Sequence, residues 1–157
     1  MDGEDAMILD RNLNSFASRM KVINANTQRL AEFLDGHPKV KQVHYPGLAG
    51  HPDYEISKRY LRSAGCLLSF VLAGDPQTTT PQFYDHLETP IIKAPSLGSA
   101  QTLLCLYTML THYFDPPEKL AQMGLDKYLI RISVGMEPFE ELIHAFEKAF
   151  EQVTPEH

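Results

Sequence analysis

The chain of 157 residues contains no tryptophan, two cysteines and no long run of basic or apolar residues. Its 14 lysines and arginines are outnumbered by 20 aspartates and glutamates, so the formal net charge at pH 7 is −6. Nucleic acids and anionic membranes are bound mainly through clustered lysines and arginines, and the shortage of such clusters argues against both partners. No apolar stretch reaches the roughly 18 residues of a membrane span, and the acidic N-terminus differs from a signal peptide. These absences predict a cytoplasmic domain with no nucleic-acid or membrane partner.

The cysteines and histidines give little sign of independent chemistry. Cys66 and Cys105 each lie in an apolar run, where a buried thiol is more typical than a disulfide. The seven histidines include no pair at the close spacing of a zinc site on one helix, so no metal is expected. Cys105 and His112 offer a thiol nucleophile with its base, but an apolar setting raises a thiol pKa and favours a core cysteine instead. We therefore predict no catalytic residue in the chain.

The composition, with 43% hydrophobic and 22% charged residues, is that of one globular domain spanning residues 1–157. Apolar residues near the N-terminus recur at alternating spacings of four and three, which predicts one long helix over about residues 5–35. Gly36 and Pro38 are expected to end this helix. The stripe that is expected to be buried consists of Leu9, Leu13, Phe16, Met20, Ile23, Thr27, Leu30 and Leu34.

The rest of the chain predicts strands mixed irregularly with helices. Strands are expected around Val43, Leu68, Ile92 and Ile132, and residues 46–52 and 74–81 are rich in turn formers. Further helices are expected at residues 53–61, 83–88 and 139–153, whereas the apolar part of segment 96–113 fits either a strand or a helix. Because the connections are too varied for a run of parallel crossover units, we predict an α+β fold, with helices on one face of a sheet.

Arg131 departs from the core pattern. It stands within YLIRISVG, flanked by apolar residues of a strand that is expected to be buried. A buried guanidinium is costly without an anionic partner, and its planar fork suits a carboxylate. From spacing alone, an internal ion pair or an outward position on an edge strand is favoured over a ligand site.

The sequence RISVGMEPFEELI, together with APSLGSAQTLL, THY, GCLLSFVL and RMKVINANTQRLAEFLDGHPKVKQVHYPGLAGHP, resembles the transsulfuration enzymes. These are the pyridoxal-phosphate (PLP) enzymes of cysteine and methionine metabolism, and the resemblance to their C-terminal domain covers about residues 5–150. It implies the small domain of a fold type I PLP enzyme, whose sheet is mainly antiparallel. Residues near Cys105 and Tyr107, and the segment 83–88, resemble the fungal-type branch of cystathionine γ-synthases.

The resemblance implies substrate-binding roles for three residues. Arg131 occupies the place of the arginine in the R-x-S-V-G-x-E motif, which binds the α-carboxylate of the amino-acid substrate. Ser96 resembles the serine of the S-L-G motif, which lines the substrate pocket and helps to hold arginine and carboxylate in register. Thr111 matches the threonine of the T-H pair near the same wall. The chain departs from the family at residues 99–101, where G-V-E is common, and at LYTMLTH, where H-P-A-S-M-T-H is common.

The family's large PLP-binding domain has no counterpart in the sequence. That domain carries the lysine that binds the cofactor, and none of the eight lysines here lies in an S-x-T-K context. Lys93, close to Ser96, is the one candidate for a substitute Schiff-base lysine, but an outward position or a position at the edge of the pocket is favoured for it. The resemblance thus implies that PLP serves the complete family enzyme, while this chain binds none covalently and is inactive by itself. It also implies a missing N-terminal partner domain, a homo-oligomeric full enzyme and an exposed apolar surface around Leu9, Leu13 and residues 103–110.

Three functions remain open at this point. A cystathionine γ-synthase-like reaction, in which cysteine replaces the γ-substituent of an activated homoserine, is favoured by the fungal-type features. A lyase cleaving the C–S bond of cystathionine or methionine, or a homoserine sulfhydrylase, is the first alternative. A free-standing, non-catalytic binding or assembly domain is the second, although such a module has no need of Arg131 and Ser96.

Overall fold

The computed structural model describes residues 2–154 and consists of seven helices and five strands within that range. The helices are α1 Gly3–Leu13, α2 Phe16–Asp35, α3 Tyr54–Tyr60, α4 Pro76–Asp85, α5 Tyr107–Thr111, α6 Pro117–Gln122 and α7 Phe139–Glu151. The strands are β1 Val40–His44, β2 Leu67–Leu72, β3 Ile92–Lys93, β4 Leu103–Leu106 and β5 Ile130–Ser133.

The five strands form one sheet in the order β1-β2-β5-β4-β3. The pairings β1–β2, β2–β5 and β5–β4 are antiparallel, and only the short β3 runs parallel to its neighbour β4. All four predicted strands lie in this sheet, and β4 resolves part of the ambiguous segment as a strand. The expectation of an α+β fold with a mainly antiparallel sheet is confirmed.

The hydrophobic core lies on one face of the sheet. Alternate residues of the central strands, such as Leu68, Phe70, Ile130 and Ile132, point toward helices α2, α4 and α7 and are almost fully buried. Phe83 of α4 packs in the middle of this layer, in a cluster with Phe70, Phe146 and Phe150. Arg131 lies on the opposite face of the sheet, beside the buried Cys105.

Helix α7 is fixed at its C-terminal end by a lysine immediately before β1. Lys39 Nζ donates hydrogen bonds to the carbonyl oxygens of Phe150 at 2.6 Å and Val153 at 2.8 Å. The last carbonyls of a helix lack partners within the helix, and they carry the negative end of its dipole. The ammonium group thus joins the end of α7 to the sheet.

We expect the substitution Lys39→Met to lower the free energy of unfolding by about 1–2 kcal/mol, because it removes two charge-assisted hydrogen bonds at a helix terminus. Urea denaturation measures the change. Lys41→Met, at an exposed position of β1 two residues away, is the matched control and should change the stability by less than about 0.5 kcal/mol. Equal stability of the two variants would contradict this role of Lys39.

The predicted single helix over residues 5–35 is instead two helices, α1 and α2. The break lies at Asn14 and Ser15, where side chains compete for backbone groups. The carbonyl oxygen of Asn12 accepts hydrogen bonds from Ser15 Oγ at 3.2 Å and from Arg19 Nη2 at 3.0 Å. The predicted apolar stripe is buried only from Ile23 onward, and α1 contains no buried residue.

Two further predictions are corrected. Residues 76–81, expected to form turns, belong to helix α4: Asp75 caps the helix by accepting from the amide of Gln77, and Pro76 occupies its first turn, where proline is tolerated. The expected exposed surface at residues 103–110 is wrong in its first half, because β4 buries Leu103 and Cys105 in the sheet. Within that segment only Leu110 is exposed, and Thr108 of α5 is buried as well. No helix within residues 2–154 has the length and apolar character needed to cross a membrane.

Candidate functional site

Arg131 lies near the middle of the sheet, on the face opposite the helical core. Strand pairing places Ser69 of β2 and Cys105 of β4 directly beside it. Cross-strand partners point to the same face, so these three side chains form one row across the sheet. Because β5 is a central strand, the expected alternative of an outward position on an edge strand is wrong.

The guanidinium of Arg131 is held by neutral groups. Its Nη2 donates a hydrogen bond to the carbonyl oxygen of Pro95 at 2.7 Å, with the carbonyl oxygen of Ser96 at 3.4 Å. The ring of Tyr107 lies 5.0 Å from the guanidinium carbon, a distance typical of a cation–π contact. No ion pair among residues 2–154 includes Arg131, so the internal ion pair expected from spacing is absent from the described chain. The positive charge is oriented but not neutralised by these contacts.

Cys105 does not form the nucleophile and base pair that was considered with His112. Burial raises the pKa of the Cys105 thiol, and the neighbouring Arg131 offsets only part of that effect. The ring of His112 instead contacts Asp115, with 2.8 Å between Nδ1 and Oδ2. Hydrogen bonds from Lys119 and then from His112 lower the pKa of the Asp115 carboxyl group. Cys105 is therefore a core thiol with its charged form disfavoured.

Ser96 and Thr111 occupy different positions relative to Arg131. Ser96 lies in the loop before β4, and the contact with the guanidinium is made by its backbone carbonyl. Thr111 lies at the exposed end of α5, where its hydroxyl donates to the carbonyl oxygen of Tyr107 at 2.8 Å. Thus the structure brings Ser96 next to Arg131, whereas Thr111 is connected to it only through Tyr107.

The loop of residues 95–102 is held along β5 and the turn after β5 by a series of contacts that the sequence did not predict. We call this series of contacts the loop seam. The amide of Gly98, which has a φ of 78°, donates to Ser133 Oγ at 3.0 Å. The amide of Met136 donates to the carbonyl of Ala100 at 2.7 Å. The third residue of RISVGME, Ser133, therefore holds the middle of the loop with its side chain.

The end of the loop seam is a small polar network around Thr102. The carboxylate of Glu137 accepts hydrogen bonds from the backbone amide and from the hydroxyl of Thr102, the latter at 2.8 Å. The amide of Gly135 in turn donates to Thr102 Oγ1 at 2.9 Å. Asn26 Nδ2 donates to the carbonyls of Gly135 and Glu137, at 3.2 and 2.9 Å, which ties α2 to the same turn. In the sequence, the only sign of this network is that polar residues such as Thr102 and Glu137 stand next to apolar segments that are expected to be buried.

We expect the substitution Gly135→Ala to destabilise the protein by about 1–3 kcal/mol, because a Cβ at this position would lie 2.5 Å from the carbonyl oxygen of Ala100 and 2.6 Å from the backbone carbon of Gln101. Thermal unfolding measures the loss. At Gly50 an added Cβ would meet no atom within 4 Å, so Gly50→Ala is the control and should be nearly neutral. Equal melting temperatures for both variants would refute the close approach.

The lysines of this chain do not fit the role of the lysine that binds PLP. Within residues 2–154 every lysine is exposed or partly exposed. The same residues contain no group of three or more histidine, cysteine, aspartate or glutamate side chains that could hold a metal ion. Lys93 Nζ donates to the carbonyl oxygen of Asp85 at 3.1 Å and lies 5.1 Å from the centre of the Tyr84 ring. Other lysines bind carbonyl oxygens or carboxylates or lie near tyrosine rings, namely Lys39, Lys119, Lys148, Lys58 and Lys127. Within residues 2–154, no lysine is therefore fully buried.

Comparison with known proteins matches residues 1–151 to the family described as Cys/Met metabolism PLP-dependent enzyme. The chain is 40% identical over 147 residues to cystathionine gamma-synthase of Neurospora crassa, covering 93% of this chain and 23% of that protein. It is 34% identical over 152 residues to cystathionine beta-lyase of Bacillus subtilis, covering 97% of this chain and 38% of the relative.

The solved structures agree with the sequence comparison. Cystathionine gamma-synthase from Xanthomonas oryzae pv. oryzae, in complex with cystathionine, gives a TM-score of 0.84 at 32% identity, with 91% of this chain and 36% of that chain covered. Cystathionine gamma-lyase from Lactobacillus plantarum, complexed with L-serine, gives a TM-score of 0.86 at 30% identity, with 98% and 39% covered. The chain spans less than two fifths of the length of each of these proteins. From its sequence and its fold, it belongs to the family of PLP-dependent enzymes of cysteine and methionine metabolism.

Proposed function

We propose that this chain is the C-terminal, substrate-binding domain of a PLP-dependent transsulfuration enzyme and that Arg131 binds the α-carboxylate of its amino-acid substrate. The observation that carries the proposal is the guanidinium of Arg131, which is oriented by Pro95 and Tyr107 and has no ion-pair partner among the described residues. Such a guanidinium retains donors for a bidentate carboxylate contact.

The chain's own contribution to the reaction is positioning. A carboxylate fixed at Arg131 sets the orientation of the adjacent Cα and therefore of the bonds at which the substrate reacts. Ser96 contributes to the wall of this site through its loop, and Thr111 supports the wall through Tyr107. The cofactor and the lysine that binds it belong to a partner domain of the complete enzyme, which this chain does not supply.

Among the family reactions, we propose a cystathionine γ-synthase-like replacement, in which cysteine displaces the γ-substituent of an activated homoserine. The 40% identity to the Neurospora crassa cystathionine gamma-synthase supports this choice. A C–S lyase or a homoserine sulfhydrylase of the same family is the second candidate, supported by the match to the Bacillus subtilis cystathionine beta-lyase. The full enzyme is a homo-oligomer in this proposal, and it acts in the cytoplasm, where two free thiols such as Cys66 and Cys105 persist.

The proposed function is tested with a chimera in which this chain replaces the matching segment of the Neurospora crassa cystathionine gamma-synthase. We expect the chimera to form cystathionine from an O-acyl-homoserine and cysteine. The isolated chain should show no turnover, and with PLP it should show only the absorption that surface lysines give. A soluble, cofactor-loaded chimera without turnover, or turnover by the isolated chain, would contradict the proposal. Release of a keto acid from cystathionine instead of its synthesis would favour the lyase.

A further inference from the structure

The loop seam connects Arg131 to residues that lie outside the carboxylate site. Arg131 and Ser133 are on the same face of β5, since they are two residues apart in a strand. Arg131 Nη2 donates to Pro95 at the start of the loop, and Ser133 Oγ accepts from Gly98 in its middle. The position of the loop and the orientation of the guanidinium are therefore coupled, because the carbonyl that orients Arg131 belongs to the loop.

The strongest contacts of the loop seam are at its other end. Thr102 is fully buried, and both of its donors point to the carboxylate of Glu137. Its hydroxyl oxygen also accepts from the amide of Gly135, so the hydroxyl acts as donor and acceptor at once. Hydrogen bonds to a carboxylate are about twice as strong as those between neutral groups, and removing one partner leaves buried polar groups unsatisfied.

From this arrangement we propose that Glu137 and Thr102 are positioning residues of the carboxylate site. They hold residues 95–102 against β5 and thereby fix the carbonyl of Pro95 that orients the Arg131 guanidinium. That the oriented guanidinium receives a substrate carboxylate rests on the proposed function. The positioning itself concerns only the residues of this chain and is measurable without substrate.

The test uses the ¹⁵N-labelled 157-residue chain at a concentration low enough to keep it monomeric. NMR relaxation measures the order parameter of the Arg131 Nε–H bond, and the signal is assigned by its loss in Arg131→Lys. In the wild type we expect a restrained side chain, with an order parameter of about 0.8. Glu137→Ala and Thr102→Val should lower the value below about 0.6, typical of a flexible group. Thr102→Ser, which keeps the hydroxyl and the amide, should restore the wild-type value.

Two matched controls separate positioning from a general loss of stability. Glu141→Ala removes an exposed carboxylate in the first turn of α7 and should leave the Arg131 signal unchanged. Lys39→Met destabilises the opposite end of α7 and should also leave the order parameter unchanged. If Glu137→Ala does not fold, Glu137→Gln replaces it, and the comparison of Thr102→Val with Thr102→Ser tests the same contact.

The outcomes distinguish this inference from the proposed function. An unchanged Arg131 order parameter in folded Glu137 and Thr102 variants would overturn the positioning role, as would an equal decrease in Lys39→Met. A decrease confined to the Glu137→Ala and Thr102→Val variants supports it. If that decrease is observed but the chimera does not discriminate substrates by their carboxylate, the proposed function fails while the positioning role stands.

Discussion

Replacing Arg131 by alanine in the chimeric enzyme should lower kcat/KM for the amino-acid substrate by about 30- to 4,000-fold. This range corresponds to the roughly 2 to 5 kcal/mol lost when one partner of a hydrogen-bonded charge pair is truncated. We expect most of the loss as a higher KM. A lower kcat should accompany it, because the carboxylate then no longer fixes the orientation of Cα. Initial rates over a substrate series measure both parameters.

The conservative variant and a matched control make this prediction specific. Arg131→Lys should recover only part of the loss, since an ammonium group is a point charge and does not reproduce the planar fork. Arg59→Ala is the control, because Arg59 is exposed and its guanidinium also lies near a tyrosine ring, that of Tyr60, at 5.3 Å. Wild-type kcat/KM in Arg131→Ala would show that the substrate carboxylate binds elsewhere.

The isolated chain should self-associate through the apolar face of α1 and the start of α2. Leu9 and Leu13 are 49% and 56% exposed, and Met7, Ile8 and Phe16 beside them are exposed as well. Contiguous apolar surface of this kind is typical of an interface, and in the proposed complete enzyme the partner domain covers it. Sedimentation velocity over a concentration series should show the average mass rising well above the monomer's 17.8 kDa.

Two variants test whether α1 is responsible for the association. The double substitution Leu9→Ser and Leu13→Ser should restore a monomer over the same concentration range, because it removes two large side chains from the centre of the face. Ile56→Ser, which changes an exposed apolar residue of α3, is the control and should leave the association unchanged. A wild-type chain that stays monomeric at every concentration would refute this expectation.

The strands and the amphipathic α7 were predictable from the sequence because their patterns are local. The apolar run GCLLSFVL and the alternation in YLIRISVG predict strands, and β2 and β5 lie within these two segments. The C-terminal helix likewise begins at Phe139, next to a proline, as its spacing indicates. These elements depend little on the rest of the chain.

The errors arose where local polar contacts override an apolar pattern. The stripe from Leu9 to Leu34 continues through Asn14 and Ser15, but the side chains there divide the helix into two. At Asp75 and Pro76 a segment that was expected to form turns is instead a helix, because an aspartate cap followed by a proline is also a favourable start for a helix. Composition alone does not separate these two outcomes.

The site was predictable only in part. The place of Arg131 in its motif singled it out, and the resemblance to the family added Ser96 and Thr111. The loop seam was not predicted, because its partners are distant in sequence: Thr102 and Glu137 are 35 residues apart. Spacing along the chain carries no information about such pairs, although buried polar residues in a motif signal that partners exist.

The central claim is that Arg131 binds the substrate carboxylate. It is tested most directly by a double-mutant cycle that changes the arginine in the enzyme and the carboxylate in the substrate. The chimera and its Arg131→Ala variant are each assayed with O-acetyl-L-homoserine and with its α-carboxamide, and the ratio of kcat/KM values for acid over amide is compared. The account predicts a preference for the acid of at least about 100-fold in the parent chimera, equivalent to about 2.7 kcal/mol, and nearly none in the variant. The same preference in both proteins would contradict it.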